Sequence, residues 1–559
     1  MILNGSQIIL ECLLEQGVDT VFGYPGGAVL NIYDALYDYS DRIRHILTSH
    51  EQGASHAADG YSRTTGKTGV VIATSGPGAT NLVTGLATAY MDSIPMVAIT
   101  GNVATSLLGL DSFQEVDITG ITMPITKHNY IVKDVTKLAN AIREAFFIAN
   151  DGRKGPVLID IPKDITATEC EFEPQVPRSH TYDELNEEDI SEAVKAISES
   201  EKPFIYAGGG VVSCDAADEL AELADRIDAP VSLSLMGQCA FDNTSPRYTG
   251  MMGMHGTKAS SLALTECDLL IVLGSRFSDR VTCSADSFRS AAGKARILHI
   301  DIDPAEVNKN ITADLKVCGD LKPVLERLNS MLSPVKHTEW MDKIHGWKKE
   351  YPLFQVSENS GDVIPQEVLE TLDDITDGNA IISTEVGQHQ MWAAEFYNFR
   401  SKRSFASSGG LGTMGYGLGA AIGCKVGNPD RVVVNCAGDG SFYMNMNELT
   451  TLAKYQLPVI ELIFNNSVLG MVRQWQKLFY NNHFSQTTLE KPTDFELLGK
   501  ALGIEAMTIK TKDDIRPVLE KAIALNKPVL INCIIDKDIN VLPMVPAGAS
   551  IAEPILEIK

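Results

Sequence analysis

Arg431 to Ser441 reads RVVVNCAGDGS, and Val459 to Asn466 reads VIELIFNN. The first run is apolar and rich in β-branched residues, and it stops abruptly at Gly438-Asp439-Gly440. A short continuous apolar run bounded by glycine is the pattern of a strand buried on both faces, as in a parallel sheet covered by helices. The second run has the same character and stops at Asn465-Asn466. Between Gly440 and Asn465 lie 24 residues, enough for a helix, a turn and a returning strand. The spacing predicts that the two strand ends emerge side by side.

The residue types at those ends suit a divalent cation and a diphosphate. Mg²⁺ takes oxygen ligands in octahedral geometry and usually shares phosphate oxygens with a substrate or cofactor. Asp439 offers a hard carboxylate and Asn466 a neutral amide oxygen; a backbone carbonyl just beyond, that of Val468, completes the protein's share. Gly438 and Gly440 allow close backbone approach, and the Ser441 N–H at a helix start can hold a phosphate oxygen.

Working outward, the same strand–helix rhythm recurs along the chain. VVIATSG (70–76) reads as a strand, ATNLVTGLATAYMD (79–92) as a helix and MVAITGN (96–102) as the next strand. FIYAGGG, DLLIVLGSRF, RILHIDID and NAIISTEVG repeat it. The expected fold class is α/β, with three doubly wound parallel-sheet domains. Two polar stretches, 166–189 and 333–362, read as linkers. They leave domains at 1–166, 190–332 and 363–545, each of ordinary domain size.

Composition narrows the function. The chain has 559 residues, 44% hydrophobic and 21% charged, with a formal charge of −25. That balance lacks the basic footprint of a nucleic-acid-binding protein. No run of about 18 apolar residues is present, so no membrane span is expected. The N-terminus shows no secretory or transit pattern and enters an amphipathic helix at 7–15. Ten cysteines include no C-x-x-C pair and several sit in apolar runs, as expected of reduced, buried thiols in a cytoplasmic protein.

The G-D-G…N-N pair is a signature of thiamine-diphosphate enzymes, and the whole chain resembles the catalytic subunit of the acetohydroxyacid (acetolactate) synthase family. The resemblance rests on VFGYPGGAVL, SHEQGASHAADGYSR, ATSGPGATNLVTG, DSFQEVD, KGPVLIDIPKD, GMMGMHGT, GSRFSDRVT, HIDIDPAEV, EVGQHQMWAAEF, SSGGLGTMGYGLGAA, FNNSVLGMVRQWQ and PMVPAGAS. It implies an enzyme that decarboxylates pyruvate and joins the remnant to a second pyruvate or to 2-oxobutyrate. Glu51 matches the activating glutamate, whose carboxyl favours the aminopyrimidine tautomer that takes the thiazolium C2 proton. Gly387, Gln388, His389, Met414, Gly440 and Ser441 match cofactor contacts, Met414 being the bulky residue that bends the cofactor. Gly27 and Ala28, Phe113, Gln114 and Lys163 match residues around the reacting carbons, where Gln114 and Lys163 can polarise a carbonyl. Arg280 suits the second substrate's carboxylate, and Trp475 matches the tryptophan that favours 2-oxobutyrate as acceptor.

Gly208-Gly209-Gly210, GMHG, GSRFSDR and HIDID resemble the family's FAD-binding middle domain. Arg153, Gly209, Gly210, His255, Arg276, Asp301 and Asp320 match flavin contacts there. Ser275, Ser278, Lys154 and Gly419 depart from the family's usual residues; none falls on the metal set or Glu51. The resemblance further implies a homodimer or homotetramer whose sites draw on two subunits, and a small regulatory subunit. Two rivals within the superfamily remain: a flavin-dependent pyruvate oxidase and a simple 2-oxoacid decarboxylase.

Overall fold

The computed structural model describes residues 1–182, 184–355, 361–490 and 493–557. Three six-stranded sheets organise these residues, and paired strands within them run parallel throughout. The first sheet holds, in chain order, Thr20–Tyr24, Arg44–Leu47, Gly69–Ala73, Met96–Asn102, His128–Ile131 and Pro156–Pro162. Numbered one to six, these lie in the order 2-1-3-4-6-5. The third sheet holds Ile381–Thr384, Phe405–Ser407, Val433–Gly438, Val459–Asn465, Glu505–Ile509 and Val529–Ile534, and repeats that order. The middle sheet holds Pro203–Ala207, Val231–Leu233, Tyr248–Met251, Leu269–Leu273, Arg296–Asp301 and Leu315–Cys318 in the order 3-2-1-4-5-6, the winding of dinucleotide-binding folds.

The central strands are buried along their whole length, as Gly69–Ala73, Leu269–Leu273 and Ile381–Thr384 show. Helices on both faces make that burial possible, which is why the strand sequences run continuously apolar rather than alternating. The first and third domains meet through helices Glu51–Thr65 and Gly417–Gly427. Ala54, Ala57, Ala58, Leu418, Ala421 and Ile422 share one buried cluster there. Small residues let the helices touch: a Cβ on Gly60 would overlap the Ala420 carbonyl, and one on Gly423 the Ala57 carbonyl.

Local readings differ from the structure in three places. The first helix begins at Gly5, because the Asn4 side chain accepts from the Gln7 N–H at 2.9 Å while Gln7 Oε1 accepts from the Asn4 N–H at 3.1 Å. The helix expected over 79–92 is two, Pro77–Thr80 and Val83–Asp92, with a tightened turn where the Leu82 N–H donates to the Ala79 carbonyl. Both stretches read as linkers carry structure. Glu169–Glu171 pairs antiparallel with Ile2–Asn4, and helix Thr338–Glu350 packs Trp340 and Ile344 onto the middle sheet's core. Of the second stretch, 356–360 lie outside the described residues.

The ten cysteines are free thiols, seven buried and three half-buried. Burial pushes the Cys12 thiol up to about 12, which keeps it protonated and unreactive. Among the described residues no helix is long and apolar enough to cross a membrane.

Candidate active site

In each sheet the connections leave the first strand and the strand beside it in opposite directions, which opens a crevice beyond the carboxyl ends of the two. In the third sheet this lies between Ile381–Thr384 and Val433–Gly438, so Glu385 to Gly387 face Asp439 to Ser441. Gly438 pairs with Phe464, which brings Asn465 and Asn466 level with Asp439. Asp439 is 3% exposed, and its Oδ1 has no hydrogen-bond partner. Burial pushes its carboxyl up to about 6, against backbone N–H groups of Asp439, Gly440, Ser467 and Asn466. Asn466 Oδ1 accepts from the Val468 N–H at 3.2 Å, so all three expected metal residues occupy one loop cluster.

The neighbouring side chains are equally incomplete. Gln388 Nε2 donates to Gln474 Oε1 and to the Ile539 carbonyl, while its Oε1 lacks a partner. His389 Nε2 is buried without a partner, and burial pulls the imidazole down to about 3. Gly438 is crowded by that ring, 2.8 Å from where a Cβ would stand, and Gly440 by Leu469 at 2.6 Å. Met414 stands in the segment after Phe405–Ser407. The next residue, Gly415, donates its N–H to Glu385 Oε2 at 2.6 Å, and Leu418 donates to Oε1 at 3.2 Å. A buried carboxylate with a bare oxygen, an orphaned amide oxygen and close-approach glycines fit a cation bridged to a diphosphate. No three His, Cys, Asp or Glu side chains cluster as a metal site among the described residues, so such a cation would lean on phosphate oxygens.

The first sheet's crevice lies between Thr20–Tyr24 and Gly69–Ala73. Ala28 donates its N–H to Thr74 Oγ1 at 3.2 Å. Gly76, at φ +58°, is pressed by Gln114, whose Cα would lie 3.0 Å from a Cβ. Glu51 opens helix Glu51–Thr65, and its Oε2 accepts from Asn81 Nδ2 at 3.0 Å. A Cβ on Gly78 would stand 3.2 Å from Glu51 Oε1, so Gly78 keeps space beside the carboxylate. Gly27 has nothing within 4 Å of its would-be Cβ, and Phe113 is 87% exposed. Lys163 is exposed at the start of helix Lys163–Ala167.

The middle sheet's crevice opens into a cavity of about 1120 Å³. Arg153, Gly209, Gly210, His255, Arg276, Asp301 and Asp320 all line it, as do Arg280, Gly387 and Trp475. Gly210 packs on Gly274, 2.7 Å from would-be Cβ to Cα, and its N–H donates to the Gly274 carbonyl at 3.1 Å. His255 Nδ1 is buried without a partner. Burial pushes the Asp301 carboxyl up to about 6. Arg153 is held by Glu306 Oε1 at 2.6 Å and donates from Nε to Ser93. The size, the small residues at Gly209 and Gly210 and the orphaned imidazole fit a dinucleotide. Arg280 and Trp475 converge on Met254: Arg280 Nη1 lies 3.4 Å from its Sδ, and Trp475 packs into the same small cluster. The cavity's lining includes neither Glu51 nor Asp439.

The structure thus gathers the expected residues into three groups rather than one. Sequence reading missed Asn81, which steadies Glu51; Glu306, which steadies Arg153; and His180 and Tyr182, which line the cavity from the stretch read as a linker. The acidic partner of Arg153 comes from a distant segment that no spacing rule connects.

Three family models match the chain. "Thiamine pyrophosphate enzyme, N-terminal TPP binding domain" covers residues 3–121, the "central domain" 190–328 and the "C-terminal TPP binding domain" 385–533. The chain is 45% identical over 567 residues to "Acetolactate synthase large subunit" of Pyropia yezoensis, covering 99% of this chain and 95% of that relative. It is 46% identical over 573 residues to "Probable acetolactate synthase large subunit" of Methanocaldococcus jannaschii, covering 99% and 96%. It is 46% identical over 563 residues to "Acetolactate synthase" of Mycobacterium bovis, covering 98% and 90%.

Proposed function

We infer the working of this site from one premise: the chain belongs to the thiamine pyrophosphate enzymes and, among them, to the acetolactate synthase large subunits. In that reaction one pyruvate loses CO₂, and its two remaining carbons bond to the carbonyl carbon of a second pyruvate. With 2-oxobutyrate as acceptor the product is 2-aceto-2-hydroxybutyrate. Thiamine diphosphate, when bound, supplies the electron sink for decarboxylation.

The residues divide the remaining work. Asp439, Asn466 and the Val468 carbonyl would hold Mg²⁺, which would neutralise the cofactor's diphosphate, and the Ser441 N–H and Gly440 would admit the phosphate oxygens. Gln388 and His389 close the same end, and Met414 supports the ring system. Glu51 holds the proton that the pyrimidine ring exchanges. Gln114 and Lys163 face the carbonyl oxygen, with Gly27 and Phe113 shaping the space around it. Arg280 takes the acceptor's carboxylate, and Trp475 makes room for one extra methylene. FAD would be held in the middle cavity, with Gly209 and Gly210 allowing close approach of its diphosphate and Arg153, His255, Arg276, Asp301 and Asp320 lining the space around it.

The observation that carries this reading is the bare, buried Asp439 carboxylate level with Asn466, beside two crowded glycines. The large cavity's lining includes neither Glu51 nor Asp439, and Phe113 is 87% exposed. This supports a working unit of two copies, with Glu51 of one facing the diphosphate end of the other. Relatives named as large subunits support a small regulatory partner.

Anaerobic incubation with pyruvate, thiamine diphosphate, Mg²⁺ and FAD, with and without 2-oxobutyrate, tests the assignment. Acetolactate, shifting to acetohydroxybutyrate in the second tube, is expected. Acetate with flavin reduction, or acetaldehyde as main product, would overturn it in favour of an oxidase or a decarboxylase.

A further inference from the structure

Helix Val83–Asp92 of the first domain carries Thr88 and Asp92 one turn apart, so both side chains stand on one face. That face lies against segment 408–414 of the third domain. The Thr88 and Thr413 hydroxyls hydrogen-bond to each other at 2.8 Å, both buried. Asp92 accepts the Gly410 N–H at 2.7 Å through Oδ1 and the Gly409 N–H at 3.2 Å through Oδ2. Within the segment, the Thr413 N–H donates to Ser408 Oγ at 3.0 Å. Thr88 and Asp92 thus both meet the segment leading to Met414, while the Thr88 hydroxyl also donates to the Thr84 carbonyl of its own helix at 2.9 Å.

Asp92 ends its helix, where the macrodipole disfavours a carboxylate. Arg63 compensates from helix Glu51–Thr65, 2.9 Å away, with side chains 5% and 0% exposed. Arg63 also holds Asp59, which accepts from the Tyr416 hydroxyl at 2.6 Å. Buried ion pairs add little net stability compared with well-packed apolar side chains. What this one does add is a fixed position for two backbone N–H groups. Met91, Asp92 and Ser93 line the middle cavity together with Gly409, Gly410 and Leu411.

We propose that Thr88 and Asp92 are positioning residues that fix segment 408–414, hence the height of Met414, and make the thiamine support and the flavin wall one mechanical unit. The proposal rests on the reading of Met414 as the cofactor's support. Both residues act through backbone and hydroxyl contacts of the segment and not on the substrate.

The test measures thiamine diphosphate affinity of the full chain by quenching of its tryptophan fluorescence at saturating Mg²⁺. Thr88→Val removes the hydroxyl while keeping the shape, and Thr88→Ser restores it. Thr88→Val should weaken binding about five- to tenfold, the value of one buried hydrogen bond, and lower kcat while leaving KM for pyruvate unchanged. Thr88→Ser should bind within about twofold of the parent at the same melting temperature. Thr88→Val binding like the parent overturns the proposal. So does equal loss in Thr88→Val and Thr88→Ser, since packing and not the hydroxyl would then be responsible. Met414→Ala separates the two readings. If it alone weakens binding, the support stands and the positioning falls; if it too binds like the parent, the support reading itself has failed.

Discussion

The first and third sheets wind six strands in one order, yet their crevices are built in opposite ways. The third is closed: its glycines are pressed by His389 and Leu469, and Asp439 is buried with a bare oxygen. The first is more open: Gln114 presses on Gly76, but nothing approaches Gly27, and Phe113 is 87% exposed. Shared winding fixes where a crevice forms. The side chains then decide how closely each crevice is packed. On the proposed function, the third crevice is the anion-holding half of a site and the first is the proton-handling half, met by a second copy.

Glu51→Gln separates the two halves most sharply. It removes the carboxyl that the proposed function assigns to proton exchange and leaves the third sheet's crevice intact. Turnover should fall by about 10³–10⁴-fold, read by steady-state acetolactate formation, with thiamine diphosphate affinity unchanged. Asp439→Asn attacks the other half. Affinity for Mg²⁺ and the diphosphate should fall about 10–100-fold, read by the metal concentration giving half-maximal activity. Trp475→Leu leaves both crevices intact and alters the cavity wall at Met254. The preference for 2-oxobutyrate over pyruvate should drop about tenfold, read from product ratios in a competition assay.

Glu448 joins the two regions and gives the smallest effect. Its carboxylate accepts the Ser49 N–H at 3.1 Å and the Thr451 hydroxyl at 2.6 Å, just before Glu51. Burial pushes it from 4.5 up to about 7. A carboxyl raised on folding binds its proton more tightly in the fold. Its contribution to stability is therefore full below about 4.5 and is lost as pH rises through about 7. Glu448→Gln has no charge to bury, so it should gain on the parent as pH rises. The gain should reach about 1–2 kcal/mol at pH 8 and vanish near pH 4.5, read as the difference in melting temperature.

Central strands were legible because burial on both faces writes itself as continuous apolar runs: Val433–Gly438, Leu269–Leu273 and Met96–Asn102 all stand where the sequence placed them. Edge strands were not. His128–Ile131 and Leu315–Cys318 are short and half exposed, so neither alternation nor a continuous run marks them. Helix Thr338–Glu350 hid inside a polar stretch because it covers the sheet with a narrow face, Trp340, Met341 and Ile344. The repeated winding of the first and third sheets was invisible, since strand order depends on which runs pair and not on any one of them. At the site, Asp439 and Asn466 could be paired from spacing alone, because a strand–helix–strand unit returns to its start. Arg280 with Trp475, or Arg153 with Glu306, could not: those meetings are made by packing of separate domains.

Mixing two inactive chains tests the central claim, that the open crevice of one copy covers the closed crevice of another. Chains carrying Glu51→Gln alone and Asp439→Asn alone are combined under dissociating conditions, reassembled and assayed for acetolactate. If sites form between copies, each mixed pair contains one site with both residues intact. Random pairing then restores about a quarter of the parent's activity. If each site forms within one copy, every site in the mixture lacks one residue, and activity stays at the level of the separate variants.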